Sequence, residues 1–254
     1  MKKVPKVPFK KGIYILPSLF TTGNVFCGFY AFIAVMNDDF YFAGVAIVVS
    51  IIFDALDGRV ARLTKTTSEF GVQYDSLADV ISFGMAPALL AYAWVLKPFN
   101  RLGWLAAFLF LLCGALRLAR FNVTKPDTTG DNFIGLPIPA AAAVIASIVI
   151  AFEKLFETRL DPMIMVGVVY LLAFLMVSNI KYPAFKKFEF KKRVTFTRFM
   201  FVILFIFVLA TIPKQALFVL SFTYAMSGPA IYLFSLFRNS DSHNLKESAT
   251  RHDK

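Results

Sequence analysis

The sequence predicts an all-α integral membrane protein of about eight transmembrane helices. Three observations predict it. Of the 254 residues, 58% are Ala, Val, Ile, Leu, Met, Phe, Trp, Tyr or Cys, and the mean hydropathy is +0.66, above the roughly half-apolar content of soluble domains. The apolar residues gather into runs close to the ~20 residues that cross hydrocarbon as a helix. The charges fall in the gaps between those runs, as topology signals do. A large soluble helical protein would need more polar sequence than remains.

Taken in order, the spans are expected at about 15–36, 40–62, 72–96, 102–121, 136–153, 162–180, 196–211 and 214–237. The last two are separated only by the turn around Pro213. The chain is read as one polytopic membrane domain over 1–237, opened by a basic interfacial segment at 1–12. A polar tail at 238–254 is expected to be disordered. The first apolar run follows a polybasic start without a convincing small-residue cleavage site, so it is read as a retained helix. Cys27 and Cys113 lie inside apolar runs and imply no disulfide framework.

The net charge of +11 would suit nucleic acid in a soluble protein, but its placement argues for membrane topology and anionic lipid. Of the 27 Lys and Arg, only Lys97, Arg101, Lys154, Arg159 and Lys214 fall on the side opposite the N-terminus. Both termini are therefore expected on the cytoplasmic side, with an even number of spans. The 181–198 segment interleaves Lys and Arg with Phe185, Phe188, Phe190 and Phe196, and reads as an interfacial element on anionic lipid rather than a nucleic-acid arm.

The chemistry concentrates between Asp54 and Asp79. Asp54 and Asp57 stand at i, i+3 near the end of span two, and Asp75 and Asp79 at i, i+4 at the start of span three, so each pair shares a helix face. The short polar turn Lys65 to Glu69 makes the two helices antiparallel neighbours and brings the pairs together. Four carboxylates at a membrane boundary repel one another and lose hydration, so they need protons or cations. Hard oxygen ligands suit Mg or Mn, with Ca as an inhibitory or structural occupant. Neither His nor Cys lies near the cluster, which argues against zinc.

Gly58, Ala61 and Gly71 can fall on the faces that carry the acids and let a bulky ligand approach the backbone. Arg62 adds a guanidinium fork suited to phosphate oxygens. Taken singly, the small residues read as helix-packing contacts and the acids as partners of Arg59 and Arg62. Together they point to a diphosphate-bearing lipid substrate. A divalent-cation channel or transporter would place acids near mid-membrane along a through path, whereas these lie at one edge.

The pattern Asp54-x2-Asp57-Gly58-x2-Ala61-Arg62-x8-Gly71-x3-Asp75-x3-Asp79 resembles the signature of the CDP-alcohol phosphatidyltransferases at all of its fixed positions. YILPSLFTTGNVFCGF at 14–29, DSLADVISFGMAPALL at 75–90, CGALRLARFN at 113–122 and FIGLPIPAAA at 133–142 resemble the phosphatidylserine synthases, a branch of that family. Ser18 departs from that branch, where Asn is expected. The resemblance implies a cytoplasmic-side active site between helices two and three, in a homodimer of a prokaryotic cytoplasmic membrane. It implies that Asp54, Asp57, Asp75 and Asp79 form the divalent-metal site, with Asp79 also able to act as general base. Gly58, Ala61, Arg62 and Gly71 would line the site for the CDP moiety. The acceptor alcohol would attack the lipid phosphorus of CDP-diacylglycerol directly and release CMP.

On that reading the acceptor is L-serine, and its carboxylate calls for a cation. Arg117 and Arg120 near the end of span four are the candidates, with equal claims on substrate phosphates or on anchoring the helix at headgroup level. Asn122 and Ser82 are further candidates, and Ser82 could instead bond its own helix. Asn24 could approach the nucleotide or join helices. Glycerol 3-phosphate or an inositol phosphate would use the same chemistry with a more basic pocket. A histidine-nucleophile route is excluded, because the two histidines, His243 and His252, lie in the tail. Gly135-Leu136-Pro137-Ile138-Pro139 reads as the entry to span five or the edge of a polar cavity.

Overall fold

The computed structural model describes residues 15–64, 68–123, 132–156, 158–183 and 215–232. The basic segment beyond Pro183, the expected span at 196–211, the N-terminal segment and the polar tail lie outside the described residues. The helices are α1 (Ile15–Met36), α2 (Phe40–Thr64), α3 (Glu69–Asp79), α4 (Ala86–Ala91), α5 (Arg101–Val123), α6 (Ile138–Ala151) and α7 (Pro162–Val177), followed by α8 over 215–232. Among the described residues, five stretches are long and apolar enough to cross a membrane: Ser18–Met36, Phe40–Leu63, Glu69–Phe99, Arg101–Val123 and Ile138–Phe156. The chain is an all-α integral membrane protein.

α6 is the hub. Its Ala- and Ile-rich sequence is apolar all round, and it is buried from Val144 through Ala151, as expected of a central helix. α2 closes on it at Gly44, where an added Cβ would stand 2.9 Å from Ile150 Cγ1. α1 packs along α2, and α5 packs against α7. Large apolar side chains such as Phe26, Phe29, Phe108 and Phe174 point outward, the surface a lipid-facing helix presents.

The third span is one long rod with two wide turns. π-helical stretches cover Val80–Met85 and Tyr92–Leu96, and each precedes a proline, Pro87 and Pro98. Proline has no N–H to offer the carbonyl four residues back, and a wide turn re-routes the ladder: Ala86 N–H reaches Ile81 O. Pro98 cannot serve Trp94 O, and Arg159 Nη1 donates to that carbonyl instead, at 3.2 Å. The buried Trp94 donates its indole N–H to Glu153 Oε1 at 2.7 Å, pinning the end of the rod remote from the carboxylates.

Two features differ from the sequence expectation. The sixth span, read over 162–180, is a helix of only sixteen residues that ends at Val177. The chain then turns into β2 (Lys181–Pro183), which pairs antiparallel with β1 (Asn132–Ile134). These short strands carry no alternating pattern to reveal them, since tertiary pairing creates them. Gly135 follows β1 at φ +76°, where an added Cβ would also meet Met176 O, so only glycine fits. Gly135 N–H donates to Ile180 O (2.9 Å) and Leu136 N–H to Leu175 O (3.0 Å). The Pro-rich entry to α6 is thus stitched to the end of α7, and Pro137 stands at the N-cap of α6.

Candidate active site

The site forms where the end of α2 meets the start of α3. Ser68 caps α3: its Oγ accepts from Gly71 N–H at 3.0 Å. α3 packs against α1, and its acids meet those of α2. One carboxylate oxygen from each of Asp54, Asp57 and Asp75 lies within 4.8 Å of the other two. Asp57 is the buried member, and Thr21 Oγ1 of α1 donates to its Oδ2 at 2.8 Å. The sequence analysis did not single out Thr21. Its signal is the shared face of Thr21, Asn24 and Gly28 at i, i+3 and i+7.

Asp79 lies one turn deeper than Asp75 and outside that trio. It is buried, and Asn24 Nδ2 approaches its Oδ1 at 3.4 Å. Ser82 Oγ donates to the Asn24 carbonyl at 2.9 Å. Gly28 permits this junction, because a Cβ there would collide with Ser82 Oγ. Ser82 therefore ties α1 to the rod, and Asn24 faces Asp79.

Gly58 is the open side. A Cβ on it would meet only Arg62, with Nη1 at 3.7 Å, so the guanidinium lies over the glycine on the face that carries Asp54 and Asp57. Ala61 is half-buried on the same stretch of α2. Gly71 makes room for its own cap, with Ser68 Oγ 3.1 Å from a would-be Cβ. Asn122 Nδ2 donates to Ser76 Oγ at 2.9 Å, linking the end of α5 to α3.

The two predicted acceptor arginines part company. Arg120 donates to Val177 O, Ser178 O, Ile134 O and Asn179 Oδ1 at 3.2–3.4 Å. It clamps the C-terminal end of α7, where carbonyls lack helical donors and the dipole favours a cation. Arg117 is only 8% exposed. Among the described residues, three buried side-chain atoms lack a hydrogen-bond partner: Asn24 Oδ1, Asp75 Oδ1 and Arg117 Nε. Asn24 bonds Asp79 through its amide nitrogen, and Asp75 precedes Asp79 by one turn of α3. An unmet buried polar atom costs about 1–3 kcal/mol.

The donor set fits a hard divalent cation. It is all oxygen, drawn from three carboxylates within bridging distance, and Asp75 keeps one buried oxygen, Oδ1, without a protein partner. Arg62 and the open Gly58 face provide room and charge for phosphate beside it.

A membrane-embedded carboxylate cluster with this spacing defines a class, and the CDP-alcohol phosphatidyltransferase family model matches residues 14–226. The chain belongs to that family and is an enzyme, a phosphatidyltransferase. It is 40% identical over 227 residues to the CDP-diacylglycerol–serine O-phosphatidyltransferase of Helicobacter pylori, covering 89% of this chain and 94% of that protein. It is 34% identical over 172 residues to the protein of the same name from Bacillus subtilis, covering 68% and 92%. It is 38% identical over 170 residues to the archaetidylserine synthase of Methanothermobacter thermautotrophicus, covering 66% and 69%.

Proposed function

We propose that this protein transfers the phosphatidyl group of CDP-diacylglycerol to the hydroxyl of L-serine, giving phosphatidylserine and CMP, with divalent metal at the site. The observation that carries the chemistry is the cluster of Asp54, Asp57 and Asp75 oxygens within 4.8 Å of one another, with buried Asp79 one turn beyond and bonded by Asn24. The names of the bacterial relatives support the serine acceptor.

Asp54, Asp57 and Asp75 would hold Mg or Mn, with Asp79 adjacent. When bound, the metal neutralises charge on the diphosphate and assists departure of CMP. Gly58 leaves the α2 backbone open to the CDP moiety, Gly71 permits the cap that starts α3, and Arg62 lies over Gly58 where phosphate oxygens would approach. Asp79 takes the proton of the serine hydroxyl as it attacks phosphorus. Asn24 bonds the Asp79 side chain from α1, and Ser82 ties the Asn24 backbone carbonyl to the rod. Arg117 receives the serine carboxylate, while Arg120 and Asn122 hold the frame around it. The excess of Lys and Arg on one side places both termini and the site toward the cytoplasm. A homodimer of eight-helix subunits follows from the family resemblance, with 1–237 as catalytic domain and 238–254 as tail.

The test is CMP release by the detergent-solubilised protein given CDP-diacylglycerol, Mn or Mg, and labelled serine. Glycerol 3-phosphate and an inositol phosphate run in parallel, and Asp79→Asn is the control. Serine-dependent release is expected, stopped by chelation and reduced about 10²-fold or more in Asp79→Asn. Release only with a phosphorylated acceptor would overturn serine. Release that persists after chelation would overturn the metal.

A further inference from the structure

α1 supplies no carboxylate, yet it is packed tightly beside the acids. Next to Asp54, an added Cβ on Gly23 of α1 would stand 3.1 Å from the ring of Phe53. The Phe20 ring lies 6.4 Å from that same ring. Further along α1, Gly28 closes on Ser82 of the rod, where any Cβ would collide. Contacts at two heights, against two different elements, leave α1 little freedom to slide or turn.

The face that carries Gly28 also carries Thr21 and Asn24, and both are buried. Thr21 Oγ1 donates to Asp57 Oδ2 at 2.8 Å. Asn24 Nδ2 approaches Asp79 Oδ1 at 3.4 Å. One helix therefore holds one acid of each pair. Of the three carboxylates whose oxygens lie within 4.8 Å of one another, Asp57 is the buried one. The terminal torsion of an aspartate has broad, shallow wells, so a partner must set where its two oxygens point. A hydroxyl proton on Oδ2 sets the carboxylate plane, as groups hydrogen-bonded behind a metal ligand do.

We propose that Thr21 is a positioning residue for the metal centre. By donating to Oδ2, it fixes the Asp57 carboxylate in the orientation that binds divalent metal. α1 then completes a centre whose carboxylates all come from α2 and α3. This rests on the metal reading given above. Thr21 acts through the carboxylate and takes no part in the transfer itself.

Thr21→Val removes the hydroxyl and keeps the branched shape. The probe is Mn alone, titrated into the full chain in detergent without lipid or serine, with free Mn read by electron paramagnetic resonance. Thr21→Val is expected to bind Mn about tenfold more weakly than the wild type. The Mn concentration that gives half-maximal CMP release should shift by the same factor. Thr21→Ala also lacks the hydroxyl and should weaken Mn similarly. Thr21→Ser keeps the donor and should bind Mn within about twofold of the wild type. A merely structural role would lower the unfolding midpoint of the metal-free protein and leave Mn affinity unchanged, which would overturn the proposal. Equal weakening in Thr21→Val and Thr21→Ser would overturn it too, since the hydroxyl would then not be the cause. A folded wild type that binds no Mn would overturn the metal reading and this proposal with it.

Discussion

The carboxylate corner and the arginine side of this site are built on opposite plans. Asp54, Asp57 and Asp75 come from two helices consecutive in the chain, α2 and the α3 that Ser68 caps. On the arginine side, Arg120 of α5 reaches the carbonyls of Ile134, Val177 and Ser178, which belong to elements distant in sequence. The corner is open at Gly58, where only Arg62 would meet an added methyl. The arginine side is closed by backbone carbonyls, a β pair and a buried tyrosine. A local, open arrangement suits metal and a large nucleotide. A closed one assembled from several elements suits a small acceptor, whose recognition depends on precise placement of few groups.

Three substitutions break or sharpen that contrast. The largest effect belongs to Asp57→Ala, which removes a buried carboxylate of the trio. CMP release should fall about 10³-fold or more, while gel filtration and circular dichroism stay those of the folded protein. Arg120→Ala should show the reverse profile. It strips donors from the end of α7 and from Ile134 O, costing on the order of 2 kcal/mol. Thermal unfolding in detergent should shift down clearly, with kcat changing far less than in Asp57→Ala. A large fall in kcat without loss of stability would move Arg120 from frame to substrate. The smallest effect is expected from Gly58→Ala. Stability should hold or rise by up to about 1 kcal/mol, since alanine is the better helix former and space is free. The KM for CDP-diacylglycerol should rise about fivefold, the loss of ~1 kcal/mol of close approach. An unchanged KM would mean the lipid does not reach this face.

Much of the corner could be read from spacing, because a helix turns i, i+3 and i+4 into one face and a short turn makes neighbours of the helices beside it. Thr21 was within reach of the same argument, as its face also carries Asn24 and Gly28. The division of labour between Arg117 and Arg120 was not. The two are one turn apart on the same helix with the same chemistry, and only the position of the carbonyls of Val177 and Ser178 assigns one to the frame. Asn122 and Ser82 were legible as polar groups near the site, but their partners, Ser76 and the Asn24 carbonyl, depend on how three helices cross.

The sequence by itself determined the membrane class, the helical build and the carboxylate set, because hydropathy, the hydrogen-bonding demands of lipid and helical periodicity are local properties of a chain. The tertiary structure alone decided where the sixth span stops, that two three-residue strands pair, and that α8 is fastened to Tyr182 and Ser147. Those outcomes rest on contacts between residues far apart in sequence, such as Tyr182 with Ala225 and Gly228. No local pattern encodes such contacts, since each depends on the packing of every helix between.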